Sequence, residues 1–218
     1  MTAVVNLLHK EFRLVMPPAY LGVAALTLFN LIPHYPMILG ISYFLPALFI
    51  ALSDANANKD HEFTISLPVT RDEVVLAKHM TVVVLELVQL AALATVAIFA
   101  AQITPEGNAV GMDGNPAFFG FVLISLGLFN VIFLPGYFTT GYRTGRPGVI
   151  AAIVFFLSYG VFELLVALTP GAANALDTLD PAMAGPQLIV LVVGASVFGA
   201  LTYLAYRQSV ARFARVNL

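Results

Sequence analysis

The 218-residue sequence has no cysteine, and only 10% of its residues carry a formal charge. Without cysteine there is no disulfide framework and no thiolate metal site. The four histidines, His9, His34, His61 and His79, are dispersed and do not form metal-ligand spacing. The string G-x-x-x-x-G-K-[S/T] that cradles nucleotide phosphates is missing as well, so the usual means of binding and hydrolysing ATP is not in this chain. No grouping of Ser, His and Asp suggests a hydrolase. The formal net charge of −2 offers a surface neither to nucleic acid nor to acidic lipid. What is abundant is hydrocarbon: 60% of residues are hydrophobic and the mean hydropathy is +0.91. Soluble domains run near half apolar and a quarter charged. The composition therefore describes an all-α integral membrane protein, a single transmembrane domain over residues 1–218.

A membrane-crossing helix needs about 20 apolar residues to pass about 30 Å of hydrocarbon. Six segments meet this: about 18–33, 36–53, 80–102, 117–138, 148–168 and 187–206. The first is the shortest, bounded by Pro17-Pro18 and Pro33. The basic flank before it is not followed by an A-x-A cleavage pattern, so the N-terminus is expected to stay uncleaved. With these spans, Lys10 and Arg13, then Lys59, Arg71 and Lys78, then Arg143 and Arg146, then Arg207, Arg212 and Arg215 all fall on one side. Those are all ten basic residues. The other side carries Glu106, Asp113, Asp177 and Asp180. The positive-inside rule puts the basic side, with both termini, in the cytoplasm. Before the first span, Val5, Leu8, Phe12 and Val15 repeat at helical spacing, which predicts an amphipathic helix lying in the inner interface. Residues 172–179, outside, predict one or two helical turns. Pro46 and Pro135 predict kinks in the second and fourth spans.

Eight of the chain's twenty-two charged residues, Asp54, Lys59, Asp60, Glu62, Arg71, Asp72, Glu73 and Lys78, lie in one polar stretch, residues 54–79. Pro68 ends any preceding helix. Thr70 and Glu73 have capping-box spacing, which starts a new helix near Arg71 that runs into the third span. Lys78 is placed to snorkel to lipid phosphates. Upstream, charges at 59–62 and apolar residues at 63, 65 and 67 predict a short helix and an extended turn. Such a surface suits docking to a protein partner; the same side chains could equally pack back on the bundle or the lipid interface.

Within the spans, Glu86 and Glu163 are costly in hydrocarbon, about 2.5–3.5 kcal/mol each at mid-membrane. Either they line a substrate path and contact a cationic cargo, or they are protonated or hydrogen-bonded inside the bundle. Gln89 shares a face with Glu86 and is within reach of a hydrogen bond to it.

The loop N-x-x-x-x-E-F-x-x-S-L-P-V-x-R-x-x-V-x-x-A-K, carried by Asn58, Glu62, Phe63, Ser66, Leu67, Pro68, Val69, Arg71, Val74, Ala77 and Lys78, resembles the membrane subunits of ABC-2 type exporters. The opening residues 8–12 and the turn at 138–146, with Gly141-Tyr142-Arg143, resemble the same family. The string S-L-P-V-x-R suggests the smaller permeases of that family, which include exporters of amphipathic peptides and peptide antibiotics. The resemblance implies a coupling helix that docks on a separate ATP-binding subunit through Lys59, Asp60, His61, Glu62, Phe63, Ser66, Leu67, Pro68 and Arg71. Tyr142, Arg143 and Arg146 would form a secondary contact. It implies no cofactor in this chain, with ATP and Mg on the partner, and two permeases with two ATPases in the plasma membrane of a bacterium or archaeon. A homodimer is the more economical form, and a heterodimer is possible. The candidate substrate path is Glu86, Gln89 and Glu163. A six-span substrate-capture subunit of a vitamin importer fits the size and span count, but fits the long charged loop less well. A lipid-modifying enzyme lacks a catalytic cluster.

Overall fold

The structure is a computed structural model that describes residues 2–15 and 19–215. Its elements are helical: α1 (Thr2–Lys10), continued by a π-helical turn at Glu11–Val15; α2 (Ala19–Ala25), continued by a 3₁₀ stretch at Leu26–Leu31; α3 (Met37–Ser42); α4 (Phe44–Ala57); α5 (Asp60–Ser66); α6 (Arg71–Ile103); α7 (Pro116–Thr139); α8 (Gly145–Leu168); α9 (Pro170–Leu176); and, after a 3₁₀ turn at Pro181–Met183, α10 (Ala184–Phe213).

Among the described residues, five segments are long and apolar enough to cross a membrane: Met37–Ala57, Arg71–Ile103, Pro116–Thr139, Gly145–Leu168 and Pro181–Phe213. The first expected span differs. Residues 16–18 lie outside the described residues, and 19–31 form two short pieces whose apolar part, Gly22–Leu31, is below spanning length as a helix. Its ends are nevertheless far apart. Lys10 and Glu11 meet Asp60 and Lys78 at the foot of α6. His34 and Tyr35 meet Ala109 and Asn108 beyond its head. Along α6, Lys78 and the helix end at Ile103 are about 38 Å apart at 1.5 Å per residue. Lys10 and Glu11 are thus at one end of the bundle, and His34 and Tyr35 are at the other.

The start of α6 follows from its sequence. The Thr70 hydroxyl accepts from the Glu73 N–H at 3.3 Å, and the Glu73 carboxylate accepts from the Thr70 N–H at 2.8 Å. Pro46 has no N–H to give the Ser42 carbonyl, and the helix breaks at Tyr43, between α3 and α4. Pro135 stays inside α7.

α7 is the central helix, with 67% of its apolar window buried, against 22% for α8 and 17% for the last helix. Phe118, Phe129, Phe133 and Phe138 on α7 are fully buried; Phe129 meets the edge of Phe44 from α4, which also meets Phe155 of α8, and Phe133 meets Tyr137 of α7 itself. The outer faces of α8 and α10 are apolar instead, with Ile153, Leu157, Leu164, Ile189 and Val192 each more than half exposed. α7 and α10 approach through glycine: a Cβ on Gly194 would lie 2.2 Å from the Gly120 carbonyl oxygen. Close backbone approach through small residues is the usual way apolar helices associate where burial from water cannot drive them.

Candidate functional site at the charged end

The charged end gathers α1, its π-helical continuation, α5, the foot of α6, the 140–144 turn and the end of α10. Helix α5 is two turns long, and its two faces do different things. Asp60 and Thr64, one turn apart, point inward. The Lys10 ammonium donates to both carboxylate oxygens of Asp60 at 2.7 and 2.8 Å and to the Thr64 hydroxyl at 2.9 Å. Glu11 receives Lys10 at 3.1 Å and Lys78 at 2.5 Å. Two lysines and two carboxylates therefore form one alternating chain that joins α5 to α1 and α6. The Lys10, Glu11 and Lys78 side chains are 9%, 5% and 5% exposed. Charges this buried hold their place only when paired and hydrogen-bonded. Burial alone would raise the Glu11 carboxyl. The charges of Lys78 and Lys10, and hydrogen bonds from both, outweigh it and hold its pKa below the ordinary glutamate value. Around this chain of charges, Leu7, Val74 and Ala77 form a small apolar cluster, with Leu67 and Val69 against it.

His61 also faces inward, stacked on Tyr142 with ring centroids 5.1 Å apart. Tyr142 is buried and adopts φ +65°, a left-handed conformation unusual for a bulky residue. Burial, aided by the nearby Asp60 charge, raises its phenol above the ordinary value. Between these rings and the ion chain is a cavity of about 20 Å³, lined by Glu11, Asn56, Asp60, His61 and Tyr142 among others.

The outer face of α5 carries Glu62, Phe63 and Ser66, all exposed, with Phe63 54% exposed. Lys59, in a left-handed conformation at φ +58°, reaches Glu62 at 3.6 Å in an exposed pair. Pro68 is exposed in the extended stretch that follows. Arg143 and Arg146 are exposed on an open cleft of about 600 Å³ shared with Ser53, Asn56, Thr140 and Thr144. Arg71 turns toward its own chain: its guanidinium donates to the Phe213 carbonyl at 3.0 Å and the Ala214 carbonyl at 3.3 Å, and lies over the Phe213 ring.

The set expected from sequence thus divides. Lys59, Glu62, Phe63, Ser66, Pro68, Arg143 and Arg146 face outward. Asp60, His61, Leu67, Arg71 and Tyr142 are engaged within the chain. Lys78 was expected to snorkel to lipid phosphates; it is 4% exposed and bound to Glu11. The face that α1 and its continuation turn to the bundle mixes apolar and charged side chains. Leu7, Lys10 and Glu11 are buried, whereas Val5 and Phe12 of the apolar stripe are exposed. Sequence reading missed Lys10, Glu11 and Thr64 as a structural unit. The signal was there in the adjacent opposite charges Lys10-Glu11, three and four residues beyond Leu7.

Inside the bundle, Glu86 and Gln89 are both fully buried and do not bond one another. Gln89 donates to the Gly40 carbonyl at 2.8 Å. The Asn130 amide donates to Glu86 at 3.0 Å and to Thr202 at 3.2 Å. Asn30 joins this polar interior, donating to the Pro36 carbonyl. Glu163 is elsewhere. It is half-buried under the 104–115 loop, close to Gly111 and the Met112 amide. The three residues of the expected path are therefore not brought together. In that same loop, burial raises the Asp113 carboxyl, against a hydrogen bond from the Asn108 amide and with the Asp177 charge adding to the rise.

An all-helical bundle with five membrane-length helices and its basic residues clustered at one end defines a multi-pass membrane protein. The chain belongs to the ABC-2 family: the family model described as ABC-2 family transporter protein matches residues 6–212. It is an ABC-2 type permease, a non-catalytic membrane transport subunit of a family that works with ABC ATP-binding partners. No curated protein and no solved structure matches it.

Proposed function

We propose that this chain is the membrane half of an ATP-driven exporter. It crosses the plasma membrane six times with both termini in the cytoplasm, and its charged end docks on a separate ATP-binding subunit that holds ATP and Mg. Two copies with two such subunits form the working assembly. The cargo is apolar or amphipathic, of peptide or lipid-like character, since the spans offer it few polar groups.

The observation that carries this reading is the two-faced construction of α5. One face is tied by Asp60 and Thr64 to Lys10, and through Glu11 to Lys78 on α6. The other leaves Glu62, Phe63 and Ser66 exposed, to face the cytoplasm. A partner pushing on the outer face would move α1, α5 and α6 as one body, because separating them breaks buried ion pairs. Pro68 and the extended residues 67–70 set the lever's angle to α6. Tyr142, stacked on His61, ties the second cytoplasmic turn to the same body.

The test is coupling in the assembled complex. Phe63→Asp is expected to lower cargo-stimulated ATP hydrolysis while the chain itself folds as before, because Phe63 has little to lose by way of internal contact. Unaltered stimulation in that variant, and in one with Arg143 and Arg146 both changed to Ala, would remove the docking role from this surface.

A further inference from the structure

Glu86 on α6 and Asn130 on α7 meet inside the bundle with 0% exposure each. The Asn130 amide nitrogen has two protons, and both are used: one toward Glu86 Oε2 at 3.0 Å, the other toward Thr202 Oγ1 at 3.2 Å. That leaves Glu86 Oε1 and Asn130 Oδ1 buried and without a donor among the described residues. No ion pair among the described residues includes Glu86. An ionised carboxylate here would be desolvated and uncompensated, and its neighbour's carbonyl would be orphaned beside it. Both vacancies are on the same pair of planar groups, and one proton fills both. A carboxylic acid and a primary carboxamide are complementary: the acid carbonyl accepts the amide N–H, and the acid hydroxyl donates to the amide carbonyl.

We propose that Glu86 is held as the neutral acid, its Oε1–H donating to Asn130 Oδ1, in a doubly hydrogen-bonded acid–amide clamp that joins α6 to α7 and, through Thr202, to α10. The clamp carries no charge. Glu86 then acts as a positioning residue in the bundle, and a cationic group on the cargo is not what it recognises. Glutamine reproduces the arrangement, since its carbonyl accepts from the Asn130 amide and its own amide donates to Asn130 Oδ1. Alanine leaves the Asn130 amide with its Thr202 bond alone and takes away the partner of the N–H and carbonyl turned to Glu86.

Two measurements on the full-length purified chain test this. In the infrared difference between wild type and Glu86→Gln at neutral pH, a carboxylic-acid carbonyl band is expected in the wild type and lost in the variant. Asn130→Leu is expected to move that band, because the hydroxyl loses its acceptor. In thermal unfolding, the Glu86→Gln midpoint is expected to match the wild type while Glu86→Ala falls. A difference spectrum holding only carboxylate bands overturns the proposal. So does an acid band unmoved by Asn130→Leu, or a Glu86→Gln midpoint as low as that of Glu86→Ala.

Discussion

Glu11 is the residue on which the charged end depends most, since it alone among the described residues accepts both lysines. Replacing it with Ala leaves Lys10 and Lys78 buried without that partner. Removing one member of a buried pair costs about 3–5 kcal/mol, and a lowered unfolding midpoint in detergent measures it. The pH dependence has a definite sign. The Glu11 pKa is depressed in the folded chain, so its contribution is complete above the ordinary glutamate pKa and is lost as pH falls through the lower folded value. Glu11→Gln is expected to flatten that acid limb of stability. An unchanged acid limb would show that the Glu11 pairing is not formed in solution. This residue also shows where sequence reading stopped. A polar position on an amphipathic helix looks solvent-facing by its periodicity. Here Lys10 and Glu11 face inward, because charges on α5 and α6, 50 and 67 residues away, meet them. Periodicity holds no information about such long-range partners.

At the scale of elements, boundaries set by local chemistry were legible. The Thr70–Glu73 capping box starts α6 as its spacing predicts, and the charged stretch before Pro68 forms the expected short helix. Residues 170–176 supply the expected outer turns as α9. The two faces of α5 were not legible, because seven residues give too few repeats to define an inward side. The approach of α7 to α10 was also hidden, since glycine in an apolar helix reads the same whether it packs or not. A contrast within α10 checks that contact. Gly194→Ala forces a methyl against the Gly120 backbone and is expected to cost about 1–3 kcal/mol, as overpacking does. Gly199 has nothing within 4 Å of such a methyl, and Gly199→Ala is expected to be neutral or to stabilise by about 0.5–1 kcal/mol. Equal midpoints for the two variants would show that the helices do not meet at Gly194.

At the scale of the whole molecule, the distribution of ten basic residues carried more than hydropathy did. Hydropathy finds six apolar stretches, and the structure keeps five as spanning-length helices, the first being a broken pair of short ones. The broken segment contains Gly22, Asn30 and flanking prolines, and the Asn30 side-chain amide donates to the Pro36 carbonyl. Its end-to-end course still returns α1 to the same end as α5 and the close of α10. The cysteine-free sequence makes this directly testable with single cysteines at exposed positions. Asn6→Cys, Ser66→Cys and Arg212→Cys are expected to react with an impermeant thiol reagent from one side of the membrane, and Val110→Cys and Asp180→Cys from the other. Reaction of Asn6→Cys together with Val110→Cys would contradict six crossings.

The account stands or falls on the outer face of α5 as the seat of an ATP-binding subunit. The direct measurement is the amount of that subunit retained when the chain is purified from cells producing both, comparing wild type with Phe63→Asp and with Glu62→Ala. Thermal unfolding of each variant serves as the control for folding. The prediction is that Phe63→Asp loses the subunit and Glu62→Ala retains less of it, with unfolding midpoints unchanged, since both side chains are exposed. Full retention of the ATP-binding subunit by a folded Phe63→Asp chain would contradict it.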